Sequence, residues 1–258
     1  MRGKKVTPGM AKVTIKSPEE IAYMRESCRI VAEVLRLMKS LVRPGITTLE
    51  LDKIAEEYIR DNGGVPGFKG LYGFPNTLCM SLNASVVHGI PNDKPLEEGD
   101  IISVDCGVIK NGFHGDHAYT FAVGAIAPEV QKLLDVTKEC LYIGIEQFKS
   151  GNRIGDIGFA IQQHAEKNGY GVVRELCGHG LGKKLHEDPS VFNFGKRGRG
   201  DLLEPGAVLA LEPMVTVGTN KIKQLPDESY VTADGKLSAH FEHTVAITKN
   251  GPQILTML

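Results

Sequence analysis

Charge of one sign is what this sequence lacks: 30 lysines and arginines face 31 aspartates and glutamates over 258 residues, for a net charge of −1. An extended nucleic-acid footprint needs a basic excess, so the balance speaks against sequence-specific nucleic-acid binding. No apolar run approaches the roughly 20 residues of a membrane-spanning helix, which excludes the membrane as a partner. Residues 1–12 are polar and basic without the apolar centre of a secretory signal, and read as a flexible, solvated tail. The five cysteines (Cys28, Cys79, Cys106, Cys140 and Cys177) are odd in number and form no CxxC pair. That excludes a finger-type zinc site, argues against a disulfide framework and points to a reducing cytoplasm. Also missing are an HExxH motif (His186-Glu187 runs on into Asp-Pro), a P-loop, a dinucleotide fingerprint and a GxSxG elbow.

What is present includes a weak internal duplication. Leu96-Glu97-Glu98-Gly99 leads through an apolar run to Asp105, and Leu203-Glu204-Pro205-Gly206 leads through another to Glu212, an offset of 107 residues. Gly45 to Gly63 and Gly151 to Gly169 both begin on glycine and end Asn-Gly, at an offset of 106. Asp116-His117 is echoed by Glu242-His243. Solenoid repeats are far shorter than this. The spacing therefore predicts two similar halves, about 13–125 and 126–258, packed face to face in a single α+β domain. Ser17-Pro18-Glu19-Glu20 is a helix start, and Pro44-Gly45 a stop. A second helix is expected over 47–62, and a matching pair over 127–148 and 154–168. Strands are expected over 78–82, 101–108, 118–123, 207–217 and 241–248.

Four carboxylates stand in unusual places. Asp105 ends Ile-Ile-Ser-Val, Glu212 ends Ala-Val-Leu-Ala-Leu, Asp116 precedes the strand from Ala118, and Glu242 lies in Ala-His-Phe-Glu-His-Thr. Strands this apolar are buried, and a buried ionised carboxylate needs a partner. No Lys or Arg occurs between Lys110 and Lys132, nor between Arg199 and Lys221. Divalent metal is the simplest compensation. One such residue alone is better read as a solvated strand end; four in duplicated positions are not. Among the histidines, His179 stands in Gly-His-Gly-Leu-Gly, where the glycines disfavour a helix and bring backbone close to something. His88 in Val-His-Gly-Ile-Pro and His186 complete the set. Oxygen donors with one or two imidazoles suit Mn, Fe(II), Co(II) or Zn.

The ordered motifs NASVVHGIP, ISVDCGVIKNGFHGD, CGHGLGKKLHEDP, LALEPMV and SAHFEHT strongly resemble those of type I methionine aminopeptidases, over essentially Val13 to Leu255. The resemblance implies the pita-bread fold, with pseudo-twofold halves and antiparallel sheet covered by helices. It implies two divalent ions on Asp105, Asp116, His179, Glu212 and Glu242, one held by all but Asp105, the other by Asp105 with Asp116 and Glu242 bridging. His88 and His186 match substrate-contacting histidines. Phe68, Leu71, Tyr72, Phe74, Cys79 and Leu185 match the specificity pocket, and Asn83 and Ser238 lie where some members hold a monovalent cation, Na or K. The implied reaction removes the N-terminal methionine of nascent polypeptides with a small second residue, by attack of a metal-bridging hydroxide, with Glu212 carrying its proton. The implied enzyme is a cytoplasmic monomer, with the ribosome as a candidate docking partner. Departures from familiar members affect the pocket and its surroundings: Leu71 for an aromatic, Tyr230 near a usual Trp, His240 for Gln and His117 for Ser or Thr.

Two other readings compete. A prolidase or Xaa-Pro aminopeptidase shares the fold but usually carries a large extra N-terminal domain. A non-catalytic pita-bread binding protein typically loses metal ligands, and all five are here.

Overall fold

The computed structural model describes residues 13–257; the tail expected over 1–12 lies outside them. Two long helices open the chain. In α1 (Pro18–Leu41) the Ser17 hydroxyl accepts from the Glu20 N–H (3.2 Å), while the Glu20 carboxylate accepts from the Ser17 N–H (2.9 Å). In α2 (Thr48–Asp61) Thr47 and Glu50 repeat this reciprocal cap at 3.1 and 2.9 Å. The second pair, α3 (Pro128–Gln147) and α4 (Ile154–Lys167), starts differently. Ala127 offers α3 no side-chain cap, and at α4 only the Asp156 carboxylate reaches back, accepting from the Arg153 N–H at 2.8 Å. Helices α2 and α4 are both 14 residues long, and start 106 residues apart, as the duplication requires.

Each helix pair covers its own sheet. In the first half β4 (Ile101–Lys110) pairs antiparallel with β5 (Phe113–Ala122) along its whole length, and with β2 (Leu78–Leu82) and β1 (Val65–Pro66) over parts of it. Ile30, Val34, Met38, Leu51 and Ile59 of the helices pack on Ile102, Val104 and Val108. In the second half the antiparallel order is β15 (Gly251–Ile254), β14 (His243–Thr248), β9 (Val208–Leu211), β7 (Gly178–Gly180) and β8 (Glu187–Val191). Leu133, Leu141, Phe148, Ile157 and Ile161 pack there on Leu209, Leu211 and Val245. Two small sheets flank these. One runs β13 (Ser238–His240), β10 (Met214–Thr216), β6 (Gly171–Val172); the other runs β11 (Ile222–Gln224), β12 (Tyr230–Thr232), β3 (Ser85–Val87).

The strands differ from expectation where the functional residues sit. The strand expected from Ala118 begins at Phe113, so Asp116 lies inside it; His-Gly-Asp-His breaks the apolar alternation that would have announced it. The run expected over 207–217 splits at Glu212-Pro213 into β9 and β10, which belong to different sheets. Pro213 has no N–H to continue a ladder. Likewise β13 and β14 part at Phe241-Glu242. Because Leu211 pairs with His243 and Met214 with His240, Glu212 and Glu242 face each other at this corner between two sheets.

Candidate metal centre

The ladder registers bring the carboxylates together. Asp105 pairs with Ala118 and Gly107 with Asp116, so Asp105 and Asp116 are diagonal neighbours on one face of β4 and β5. His179 pairs with Ala210, two residues before Glu212, which puts His179 and Glu212 on one face of the second sheet. Glycines permit this approach: a Cβ on Gly178 would meet the Ala210 carbonyl oxygen at 2.3 Å, and one on Gly180 the Asp188 oxygen at 2.2 Å. The halves then join across β5 and β14. The Glu242 N–H donates to the Ala118 carbonyl (2.9 Å). The Thr244 hydroxyl accepts from the Asp116 N–H (3.1 Å) and donates to the Asp116 carbonyl (2.8 Å). His117 Nδ1 donates to the Glu242 carbonyl.

Asp105, Asp116, His179, Glu212 and Glu242 therefore line one cleft of about 1690 Å³. Asp116, His179 and Glu242 each offer one ligand atom, all within 4.8 Å of one another. The His179 Nδ1–H donates to the Gly180 carbonyl (2.9 Å), which leaves the Nε2 lone pair facing Asp116 Oδ2 and Glu212 Oε1, both 3.6 Å away. Burial, and then the charge of Asp116, hold Asp105 well above the usual carboxylate range. Burial lifts Asp116 to about 7. Glu212 and Glu242 are raised by burial and by the neighbouring carboxylates, while burial lowers His179 to about 3.

These groups fit divalent cations. Asp105 Oδ1, Asp116 Oδ1 and Glu242 Oε1 are buried without a hydrogen-bond partner. Among the described residues only imidazoles, and no Lys or Arg, come within ion-pair distance of the four carboxylates. Crowded buried oxygens with no compensating side-chain charge are what a hard or borderline metal ion satisfies.

The expected substrate residues border the same cleft. Phe68, Cys79 and Leu185 form a small apolar cluster, with Leu71 and Phe74 packed on it. Tyr72 is exposed, sits at φ 51°, and stacks on His186 at 6.0 Å. His186 in turn meets the His179 ring edge-on at 4.6 Å. His88, at φ 60°, also lines the cleft and has Tyr230 edge-on at 5.8 Å. Burial lowers both His88 and His186, so each is neutral at pH 7. Asn83 and Ser238 lie away from the cleft, joined by the Ser238 N–H donating to the Asn83 carbonyl at 3.0 Å. The Asn83 amide is used by Asp100 (2.8 Å) and by the Ile101 N–H (3.0 Å), so a cation there would meet backbone oxygens.

Sequence reasoning gave no part in this site to four groups. Lys16, nearly buried, holds Glu187 beside His186 at 2.6 Å; nothing in the local sequence pairs residues so far apart. Cys177 and Met214 add soft atoms to the cleft wall; their neighbours His179 and Glu212 were the available signal. His240, marked only as a departure, points at the carboxylates.

The comparisons agree with this geometry. The model of metallopeptidase family M24 matches residues 22–249. A methionine aminopeptidase of Clostridium perfringens is 54% identical over 247 residues, covering 95% of this chain and 99% of that protein. That of Escherichia coli is 42% identical over 248 residues, covering 95% and 94%. The crystal structure of the Thermotoga maritima methionine aminopeptidase superposes with a TM-score of 0.94 at 40% identity, covering 96% of this chain and 100% of that one. The prolidase of Pyrococcus furiosus, at 22% identity and a TM-score of 0.79, shares the fold alone. By its ordered motifs, its two-sheet cleft and these matches, the chain belongs to metallopeptidase family M24, among the methionine aminopeptidases.

Proposed function

We propose that this chain removes the N-terminal methionine from nascent polypeptides whose second residue is small, with divalent ions held by Asp105, Asp116, His179, Glu212 and Glu242. The observation that carries this reading is the convergence of four carboxylates from both halves, three with unpartnered buried oxygens, beside an apolar pocket. Bound there, divalent ions supply a water acidified towards neutral pH and a Lewis acid for the scissile carbonyl. Mn, Fe(II), Co(II) and Zn all suit the donor set.

The protein's own residues do the rest. Glu212 accepts the proton of the attacking water and passes it to the leaving amine. His186, steadied between Tyr72 and His179, donates to the carbonyl oxygen as negative charge grows there. His88, lining the same cleft, holds the scissile amide. Phe68, Phe74, Cys79 and Leu185 receive the unbranched thioether, and Tyr72 covers it; burial keeps the Cys79 thiol protonated and soft. Asn83 and Ser238 would hold a Na or K ion that stiffens the junction of β3 with the second half. The chain would act as a cytoplasmic monomer, meeting its substrates as they leave the ribosome. Among the described residues no helix is long and apolar enough to cross a membrane.

The test is hydrolysis of Met-Ala-Ser and of an Xaa-Pro peptide by metal-reconstituted protein. Methionine release from the first and none from the second is expected. Preference for the Xaa-Pro peptide would move the chain to the prolidase side of the fold, and no hydrolysis of either by metal-replete protein would leave a binding protein.

A further inference from the structure

One imidazole at the corner has no task in the scheme above. His240 ends β13 and is 1% exposed. Its N–H donates to the Thr120 hydroxyl (2.9 Å), and its carbonyl accepts from the same hydroxyl (2.7 Å). The backbone is thereby fixed and the ring delivered into the space between Glu212 and Glu242. His240 Nε2 is buried and has no hydrogen-bond partner. It stands 3.7 Å from Glu212 Oε2 and 4.0 Å from Glu242 Oε2. Both separations exceed hydrogen-bond length. They match two donor atoms on one cation, since ligands bonded at about 2.0–2.2 Å lie about 3–4 Å apart.

His179 provides the comparison within the same site. Its Nε2 lies 3.6 Å from Asp116 Oδ2 and 3.6 Å from Glu212 Oε1. Glu212 is thus flanked by two imidazoles, one facing each of its oxygens. Of the other buried histidines nearby, His117 bonds the Glu242 carbonyl and His243 bonds Thr256, with their rings stacked at 4.4 Å. His114 also has a buried Nδ1 without a partner, but among the described residues it has no carboxylate within ion-pair distance, as His240 has.

We propose that His240 is a further nitrogen ligand of the metal centre, so that the ion held by Glu212 and Glu242 is bound by two imidazoles, those of His179 and His240. The inference rests on the metal-centre reading of the cleft. A second imidazole makes the donor set softer and favours Co(II) and Zn over Mn.

The experiment is paramagnetic proton NMR of the full chain saturated with Co(II), together with Co(II) and Mn titrations by calorimetry. A ligating imidazole gives one exchangeable, hyperfine-shifted N–H signal. Wild type is expected to show two, and His240→Gln one; the Gln amide keeps an N–H donor at similar reach but no ring. Co(II) affinity is expected to fall ten- to a hundredfold in His240→Gln, with a smaller loss for Mn. A single signal in the wild type overturns the inference without any variant, and so does an unchanged spectrum in a folded His240→Gln. Asp116→Ala separates the two layers of the argument. If it abolishes Co(II) binding while His240→Gln changes nothing, only the role of His240 falls; if it too changes nothing, the centre itself is misplaced.

Discussion

The two halves deliver carboxylates to the same cleft by different means. The N-terminal half places Asp105 and Asp116 within one hairpin whose ladder runs unbroken from Ile101–Ala122 to Lys110–Phe113. The C-terminal half places Glu212 and Glu242 where strands leave one sheet for another, and His179 on a strand of three residues. Side-chain caps follow the same division, reciprocal at α1 and α2 and absent at α3. The first half is a rigid bracket. The second trades ladder hydrogen bonds for side chains aimed from a corner, and it carries Glu212, the proposed proton carrier, together with His179, His186 and His240. A duplicated frame can thus keep its helices and core while its two ends specialise.

The largest effects should separate these contributions. Asp105→Ala, in the bracket, is expected to abolish methionine release from Met-Ala-Ser and to lower the bound metal measured by elemental analysis, with the chain still folded. Glu212→Ala, at the corner, should lower kcat by about 10²–10⁴-fold, read from steady-state kinetics at saturating metal. Near-wild-type release by metal-replete Asp105→Ala would remove the bracket from the site.

Next comes pH. The carboxyl groups of the metal-free fold hold protons above their ordinary range, Asp116 to about 7. A cation must displace those protons, so binding releases them and affinity rises with pH. Metal affinity should be roughly tenfold weaker at pH 6 than at pH 7 for each proton displaced. Calorimetry in buffers of different ionisation enthalpy measures the release; buffer-independent heats would contradict it.

A third variant tests the tie between the N-terminal segment and the second half. Lys16→Met removes the ion pair of the partly buried Glu187, whose Oε1 keeps the Lys184 N–H (3.1 Å), and should cost about 1.5–3 kcal/mol in urea unfolding, with kcat falling as His186 loses its neighbour's anchor. The smallest effects concern the caps. Thr47→Ala should destabilise by about 1 kcal/mol, whereas Ala127→Asp should stabilise by several tenths to about 1 kcal/mol, both read by thermal unfolding.

Much of this was legible in the chain. The Ser17-to-Glu20 signal places the first helix at its observed start, because a capping box is local chemistry, and the second helix, expected from residue 47, begins one residue later. Asp105 and Glu212 stood out because burial of a charge at the end of an apolar run is unusual enough to require a partner. The family resemblance, not spacing, singled out His88 and His186 as substrate contacts. Strand boundaries at the site were the least legible. Polar residues that face a buried cleft erase the alternation that marks a strand, so β5 starts five residues earlier than expected. The corner at Glu212-Pro213 and the contacts of His240 and Lys16 depend on which sheets meet, which no local pattern encodes.

The most direct test of the central claim is the position of the ions. Anomalous scattering at the cobalt edge from crystals of Co(II)-loaded protein should show peaks enclosed by Asp105, Asp116, His179, Glu212 and Glu242. Cobalt bound elsewhere on the chain, with this cleft free of it, would contradict the account.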